Sequence, residues 1–469
     1  MEKLFLSVIG YDPITVLIVS LFFIISVLII IKIVIDNFGL ENIYTFEDDL
    51  REIYKKNKIK MKKDEDSIYM GKSPDKKKIY LRSDSSHVYV CGTTGSGKTV
   101  TLSNFIKYGV DNNIPLLIID GKGDTNENSL LDIVNKLKND RKVYVIDFNN
   151  PNGSDRYNPF KDANYTVVKD MLINMSEWSE EHYKYNTERY LQRLIQLLCK
   201  SNIKLCFKSI VENMNSERFE LLSASLLKSG VISKEEHINN LDLVKKSEKI
   251  IEGSVARFST IIESELGQVF DEKGIDIYTA IKENAIILFI LNPLIYPEVS
   301  TLIGRLITID SKKAIGKLYS DKIERGLFIF DEINVYASKA LLDLVNKSRS
   351  ANITCVLASQ SLSDLEESAG EFFREQVIEN CNNYIIMRQN SAKNSESLAN
   401  IIGTKETMNV TYQIESDNSI TTDTGLGSAR KTREYIYHPD LIKNLNRGSG
   451  FLISKDNNFK TKIIINKPF

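Results

Sequence analysis

The octapeptide Gly92-Thr93-Thr94-Gly95-Ser96-Gly97-Lys98-Thr99 matches GxxxxGK[ST] in full, and the apolar run His87-Val88-Tyr89-Val90-Cys91 leads straight into it. Behind it, Val100, Leu102, Phe105 and Ile106 recur at helical spacing. Strand, glycine loop and helix in that order separate a phosphate-binding loop from a chance match. Glycines let successive backbone N–H groups turn inward around phosphates, and the helix N-terminus adds partial positive charge. On this reading Gly92–Gly97 cradle ATP, Lys98 reaches the β- and γ-phosphates, and the Thr99 hydroxyl ligates Mg²⁺. A loop of this kind follows a strand of an α/β sheet, which fixes the fold class around it.

Hydrolysis also needs a carboxylate for the metal shell and a group to activate water. Three strand-like runs end in Asp: Leu116–Asp120, Val143–Asp147 and Leu327–Asp331. Only the third is followed by another acid, so Asp331 is read as the metal-shell carboxylate and Glu332 as the water activator. Asp120 and Asp147 suit the polar ends of buried parallel strands. Asp120 also opens a tight loop, Gly121-Lys122-Gly123-Asp124. Further on, Asn352–Gln360 reads as a strand whose terminal Gln360 stands at the same sheet edge, placed to sense γ-phosphate or water. Arg349 lies at the opposite end of that strand, where it can serve a neighbour's nucleotide better than its own.

Strands alternating with helices argue for a parallel-dominated sheet covered on both faces. Further strands are expected at Ala285–Leu291, Tyr384–Arg388, Phe451–Ser454 and Lys460–Ile465. Between Pro159 and Ile251 no β-pattern appears and apolar residues recur at helical spacing, as in Tyr190, Leu191, Leu194, Ile195, Leu197 and Leu198. This reads as an all-α domain inserted into the nucleotide-binding fold. Its mixed aromatic and charged residues Trp178, Tyr183, Lys184, Tyr185, Arg189 and Tyr190 suit either single-strand stacking or ordinary core and surface. Residues Tyr412–Glu434 are polar with a basic end, and read as a loop or loose hairpin.

Ile14–Ile31 carries no charge, and extension to Ile35 gives roughly 33 Å of helix, enough to cross a bilayer. Arg51, Lys55, Lys56, Lys58, Lys60, Lys62 and Lys63 follow it, which puts the bulk of the chain in the cytoplasm behind a single membrane pass. The expected organisation is a membrane anchor over 1–40 and a basic juxtamembrane linker over 41–80. A first part of the nucleotide-binding domain over 81–160, an all-α domain over 161–251 and a second nucleotide-binding part over 252–469 complete it. With 61 basic and 62 acidic residues the net charge is −1, which excludes a uniformly basic nucleic-acid coat but not a local basic surface. Five scattered cysteines without a CxxC pair exclude a zinc ribbon and a disulfide scaffold.

In order and spacing these motifs resemble the TraG/TraD-like coupling ATPases of conjugation and type IV secretion. The resemblance rests on Gly92–Thr99, Asp120–Asp124, Arg141 before Val145-Ile146-Asp147, and Tyr157-Asn158-Pro159-Phe160. It continues through Phe330-Asp331-Glu332, Ser359-Gln360-Ser361 and Arg433–Leu441. It implies a RecA-like P-loop motor that assembles as a membrane-anchored homo-hexamer, with Arg349 as an arginine finger acting across the interface. It also implies DNA as cargo, single-stranded and relaxase-bound, with secretion-channel membrane proteins as partners. Two other readings stand beside it: a double-strand DNA pump of the FtsK/HerA kind, and a membrane receptor that recruits substrate without acting as a motor.

Overall fold

A computed structural model describes Leu21 and residues 24–30, 66–82, 86–178, 180–417 and 420–469. Most of the expected membrane helix, and the basic run Arg51–Lys63, lie outside these residues. Leu21 and residues 24–30 are helical, with exposed Ile, Val and Leu side chains. Among the described residues no helix is long and apolar enough to cross a membrane.

Residues 63–469 form one compact unit. Its strands are β1 (Ser67–Lys72), β2 (Lys78–Arg82), β3 (His87–Cys91), β4 (Leu116–Asp120), β5 (Val143–Asp147), β6 (Ile286–Ile290) and β7 (Gly326–Asp331). They continue with β8 (Ile353–Ser359), β9 (Cys381–Met387), β10 (Thr404–Asp417), β11 (Ile420–Tyr435), β12 (Ser449–Ser454) and β13 (Phe459–Ile465). Eleven of them make one sheet in the order β2-β1-β13-β12-β9-β3-β8-β7-β4-β6-β5. From β9 to β5 every pairing is parallel, and from β9 outward to β2 every pairing is antiparallel. The parallel strands are nearly unbroken Val, Ile, Leu and Phe because helices bury both faces. Burial of all five residues in β3, β4 and β6 fits that account.

The expected strands appear where the apolar runs placed them. One region differs: residues 67–80, expected within a linker, hold β1 and most of β2 at the sheet edge. Ile68, Met70, Ile79 and Leu81 are buried, so this short hairpin is alternating and half-covered rather than linker-like. The polar stretch expected as a loop or loose hairpin is of the second kind, the turn end of a long antiparallel pair, β10–β11, running from Thr404 to Tyr435.

The helices are α1 (Lys98–Asp111), α2 (Leu130–Leu137), α3 (Tyr165–Asn174), α4 (Glu181–Lys200), α5 (Phe207–Glu212), α6 (Ser216–Lys228) and α7 (Lys234–Ile262). After β6's preceding helix α8 (Ile277–Lys282) come α9 (Pro297–Leu318), α10 (Lys339–Ser348), α11 (Leu362–Asn380), α12 (Ala392–Ile402) and α13 (Pro439–Lys443). Between β5 and β6 the described residues contain helices and no strand, and α7 runs to Ile262, beyond the expected domain limit at 251. Side chains of Asn164, Asn215 and Ser233 cap α3, α6 and α7 by accepting backbone N–H bonds, which satisfies donors that a helix start leaves open.

The Tyr157-Asn158 pair ties the two ends of this helical excursion to each other. Tyr157 N–H donates to Val269 O (2.8 Å), and Asn158 N–H donates to Ile275 O (2.9 Å). The buried Tyr157 hydroxyl donates to Asp310 Oδ2 (2.8 Å), while Lys313 Nζ lies 2.8 Å from Asp310 Oδ1. Arg141 serves the opposite sheet edge, donating to the carbonyls of Gly109, Ile114 and Asn284. The aromatic and charged stretch divides as well. Tyr190 is buried against Phe219, and Trp178 donates to Ile173 O beneath Arg257, whereas Tyr183 and Tyr185 remain exposed.

Candidate active site

Local backbone demands build the loop after β3. Gly97, at φ 115°, caps α1, and Gly95 has φ 76°, a region where a side chain is strained. A Cβ on Gly92 would stand 2.7 Å from Met387 Cβ, so glycine is also required by the close approach of β9. Thr93 N–H and its hydroxyl both donate to Arg388 O, at 3.0 and 3.2 Å. Gly448 N–H donates to Ser96 O (2.8 Å). Neighbouring chain thus holds the loop from outside, leaving Thr94 and Gly95 at its exposed tip. Thr99 is half-buried in the first turn of α1.

Lys98 is buried and reaches back over the loop. Its Nζ donates to Gly92 O (2.8 Å) and pairs with Glu332 Oε1 at 3.3 Å. Gln360, one residue past β8, links this pair to the loop tip. Its Nε2 donates to Glu332 Oε1 (3.3 Å), and its Oε1 accepts from the Thr94 hydroxyl (3.1 Å). Lys98, Glu332, Gln360 and Thr94 therefore form one continuous chain of contacts. Arg349 is exposed in a short turn before β8, at the far end of that strand from Gln360, and does not join them.

Asp331 and Asp120 stand opposite one another on the paired strands β7 and β4. Burial raises the Asp331 carboxyl well above the carboxylate range, and the charges of Glu332 and Asp120 add to the shift, against a smaller opposing pull from Lys98. Burial likewise pushes Asp120 up to about 6, although Lys122 and Gly123 N–H groups donate to its Oδ1. Glu332 sits at φ 48°, ψ 55°, an uncommon conformation for a non-glycine residue that costs on the order of 1–3 kcal/mol. Its Oε2 is buried without a hydrogen-bond partner.

Three neighbouring buried carboxylates, with Lys98 paired to Glu332 and Lys122 beside Asp120, suit a divalent cation and a polyphosphate better than they suit each other. Among the described residues no cluster of three or more His, Cys, Asp or Glu is arranged to hold a metal alone. That agrees with Mg²⁺ chemistry, in which one or two protein oxygens act with substrate phosphates and water. Asp331 and the Thr99 hydroxyl are the donors the sequence offers for it.

Several neighbours of the site carry no motif. Tyr336, fully buried, donates its hydroxyl to Asp331 O (3.0 Å). Gln389 donates to Gln360 O (2.9 Å), and Arg388 holds Thr93 through its carbonyl. A polar pair directly after a buried strand, as in Met387-Arg388-Gln389, was the available signal, the same one that marked Gln360.

Two family models match the chain. One, described as the TraM recognition site of TraD and TraG, covers residues 325–447, and the other, the central domain of helicase HerA, covers residues 68–283. The unbound bacterial conjugative coupling protein TrwB lacking its N-terminal segment aligns with a TM-score of 0.62 at 15% identity, over 83% of this chain and 87% of that one. A TrwB complex with ADP and Mg²⁺ gives 0.59 at 14% identity, over 83% and 88%. VirB4 of Thermoanaerobacter pseudethanolicus gives 0.54 at 11% identity, over 86% and 97%. These likenesses show a shared fold. Among curated sequences, an uncharacterized Mycoplasma pneumoniae protein is 41% identical over 56 residues, 10% of this chain. The match spans about half, 47%, of that relative's length. A second from the same organism is 29% identical over 101 residues, 22% of this chain and 67% of its own length.

Proposed function

Because the chain belongs to the TraG/TraD-like coupling protein family, we propose that it is an ATP-hydrolysing motor that brings DNA to a conjugation or type IV secretion channel and drives it through. The observation that carries this reading is the contact chain from Thr94 through Gln360 and Glu332 to Lys98. A phosphate loop used only for recruitment has no need of a buried acid and amide converging on its lysine.

In this mechanism Gly92–Gly97 bind the phosphates through backbone N–H groups, and Lys98 leaves Glu332 to reach the β- and γ-phosphates. Glu332, freed of its ion pair, accepts a proton from the attacking water at a carboxylate oxygen, while Gln360 orients that water. Asp331 and the Thr99 hydroxyl would hold Mg²⁺, which when bound would neutralise phosphate charge. Arg349, exposed at the opposite sheet end, completes the site of the next copy in a homo-hexamer. The N-terminal apolar segment anchors the assembly in the cytoplasmic membrane with the motor on the cytoplasmic side. Single-stranded DNA bearing a relaxase is the proposed cargo, handed to membrane proteins of the channel.

The HerA-type match favours a second reading, a double-strand DNA pump on the same core. Transfer assays separate these readings. Lys98→Ala should abolish conjugative transfer while leaving the protein in the membrane, and normal transfer would refute the motor. Stimulation of ATPase activity by duplex but not single-stranded DNA would favour the pump.

A further inference from the structure

Gln389 lies two residues past the end of β9 and is only 1% exposed. Its Nε2 donates to Gln360 O at 2.9 Å and to Cys91 Sγ at 3.4 Å. The preceding residue, Arg388, accepts both Thr93 bonds through its carbonyl. Two consecutive residues at the end of one strand therefore grip the phosphate loop on one side and the root of the Gln360 side chain on the other.

A buried amide is costly unless its donors are matched, and an apolar residue of equal volume would fill the same space without that requirement. Here the donor is spent on the one backbone carbonyl whose orientation sets where the Gln360 amide points. Cys91, whose thiol burial pushes up to about 12 and so keeps neutral, accepts weakly from Gln389 and donates to the same Gln360 carbonyl at 3.7 Å, a longer and weaker bond than the 2.9 Å one from Gln389. We infer that Gln389 is a positioning residue of the hydrolytic site: it fixes the Gln360 peptide so that the Gln360 side chain bridges Thr94 and Glu332. The inference rests on the ATPase reading of that site and adds to it a link between β9 and the sensing strand.

The test uses the full-length protein in detergent, with Gln389→Met, Gln360→Ala and the double variant. Gln389→Met should speed amide hydrogen exchange across Gln360–Leu362 and leave affinity for a non-hydrolysable ATP analogue within about twofold of wild type. It should lower kcat about tenfold with KM unchanged. The double variant should be no slower than Gln360→Ala alone, because the two residues act as one unit. Unchanged exchange and kcat, or losses that multiply in the double variant, would overturn the inference. If Gln389→Met does not fold, Gln389→Glu keeps the shape but donates only when protonated. Its kcat relative to wild type should then recover as pH is lowered from 8.5 to 6.5, and no recovery counts against the role. Lys98→Ala is measured alongside: if wild type shows no Lys98-dependent hydrolysis, the ATPase reading fails, and the exchange measurement alone decides whether Gln389 holds Gln360.

Discussion

Replacing Asp120 by Asn should make the protein more stable as pH rises, relative to wild type. The folded state pushes the Asp120 carboxyl from 3.8 up to about 6, chiefly by burying it. A carboxyl that holds its proton more tightly when folded contributes stability that is full below about pH 4 and is lost as the pH climbs to about 6. Roughly two pKa units at 1.36 kcal/mol each make the loss about 3 kcal/mol, of which roughly 2 kcal/mol falls between pH 4.5 and 7.5. Asn keeps the acceptor oxygen that receives the Lys122 and Gly123 N–H groups, so the loop geometry survives. Removing the charge also relieves Asp331, directly opposite on β7, which works in the same direction. For a folded body of about 400 residues the unfolding entropy is about 0.8 kcal/mol per degree, so the thermal midpoint difference, Asp120→Asn minus wild type, should grow by about 2–3 °C between pH 4.5 and 7.5. Calorimetry over that range without nucleotide reads it directly. A difference that stays constant or shrinks would refute the claim that Asp120 is a buried, strained carboxylate at neutral pH.

Other consequences follow from the same geometry. Glu332→Gln removes the proposed proton acceptor and the Lys98 ion pair but no phosphate donor, so ATP-analogue binding should persist while hydrolysis falls at least about 100-fold. Loss of binding by calorimetric titration would make Glu332 structural. Gly123→Ala should destabilise the fold by about 2–4 kcal/mol, because its Cβ would lie 2.0 Å from Leu291 O at φ +70°. Gly230→Ala, at φ +69° with open space around it, should cost only about 1 kcal/mol, and equal midpoint losses would discredit the steric part of the argument. Mixing inactive Arg349→Ala with inactive Lys98→Ala subunits should restore some ATPase activity; none at any ratio would remove the finger role.

The parts of the site that lie within one short segment were legible in the sequence. Glycine loop, lysine and helix start are contiguous, and Phe330-Asp331-Glu332 and Ser359-Gln360 each announce a polar group at the end of a buried strand. Their convergence was also foreseeable, since parallel strands bring their C-terminal ends to one edge. What the sequence did not reveal depends on which strands are neighbours. Asp120 faces Asp331 only because β4 lies beside β7, and Gln389 reaches Gln360 only because β9 and β8 flank β3. The β1–β2 hairpin was hidden for another reason. Its strands are short, separated by the charged turn Asp75-Lys76-Lys77, and half-exposed, so their alternation is brief and merges with the basic run before them. In β10–β11 the polar composition suits a loop and a two-stranded ribbon equally, so the sequence left both open.

The proposed motor has sites that act only in an assembly and work on DNA. It is tested most directly by the ATPase rate of the full-length protein across protein concentration, with single-stranded DNA present and Lys98→Ala as the blank. Such a motor should show a Lys98-dependent rate that rises more steeply than linearly with protein and increases when DNA is added. A rate that Lys98→Ala leaves unchanged, or one strictly proportional to protein and indifferent to DNA, would contradict it.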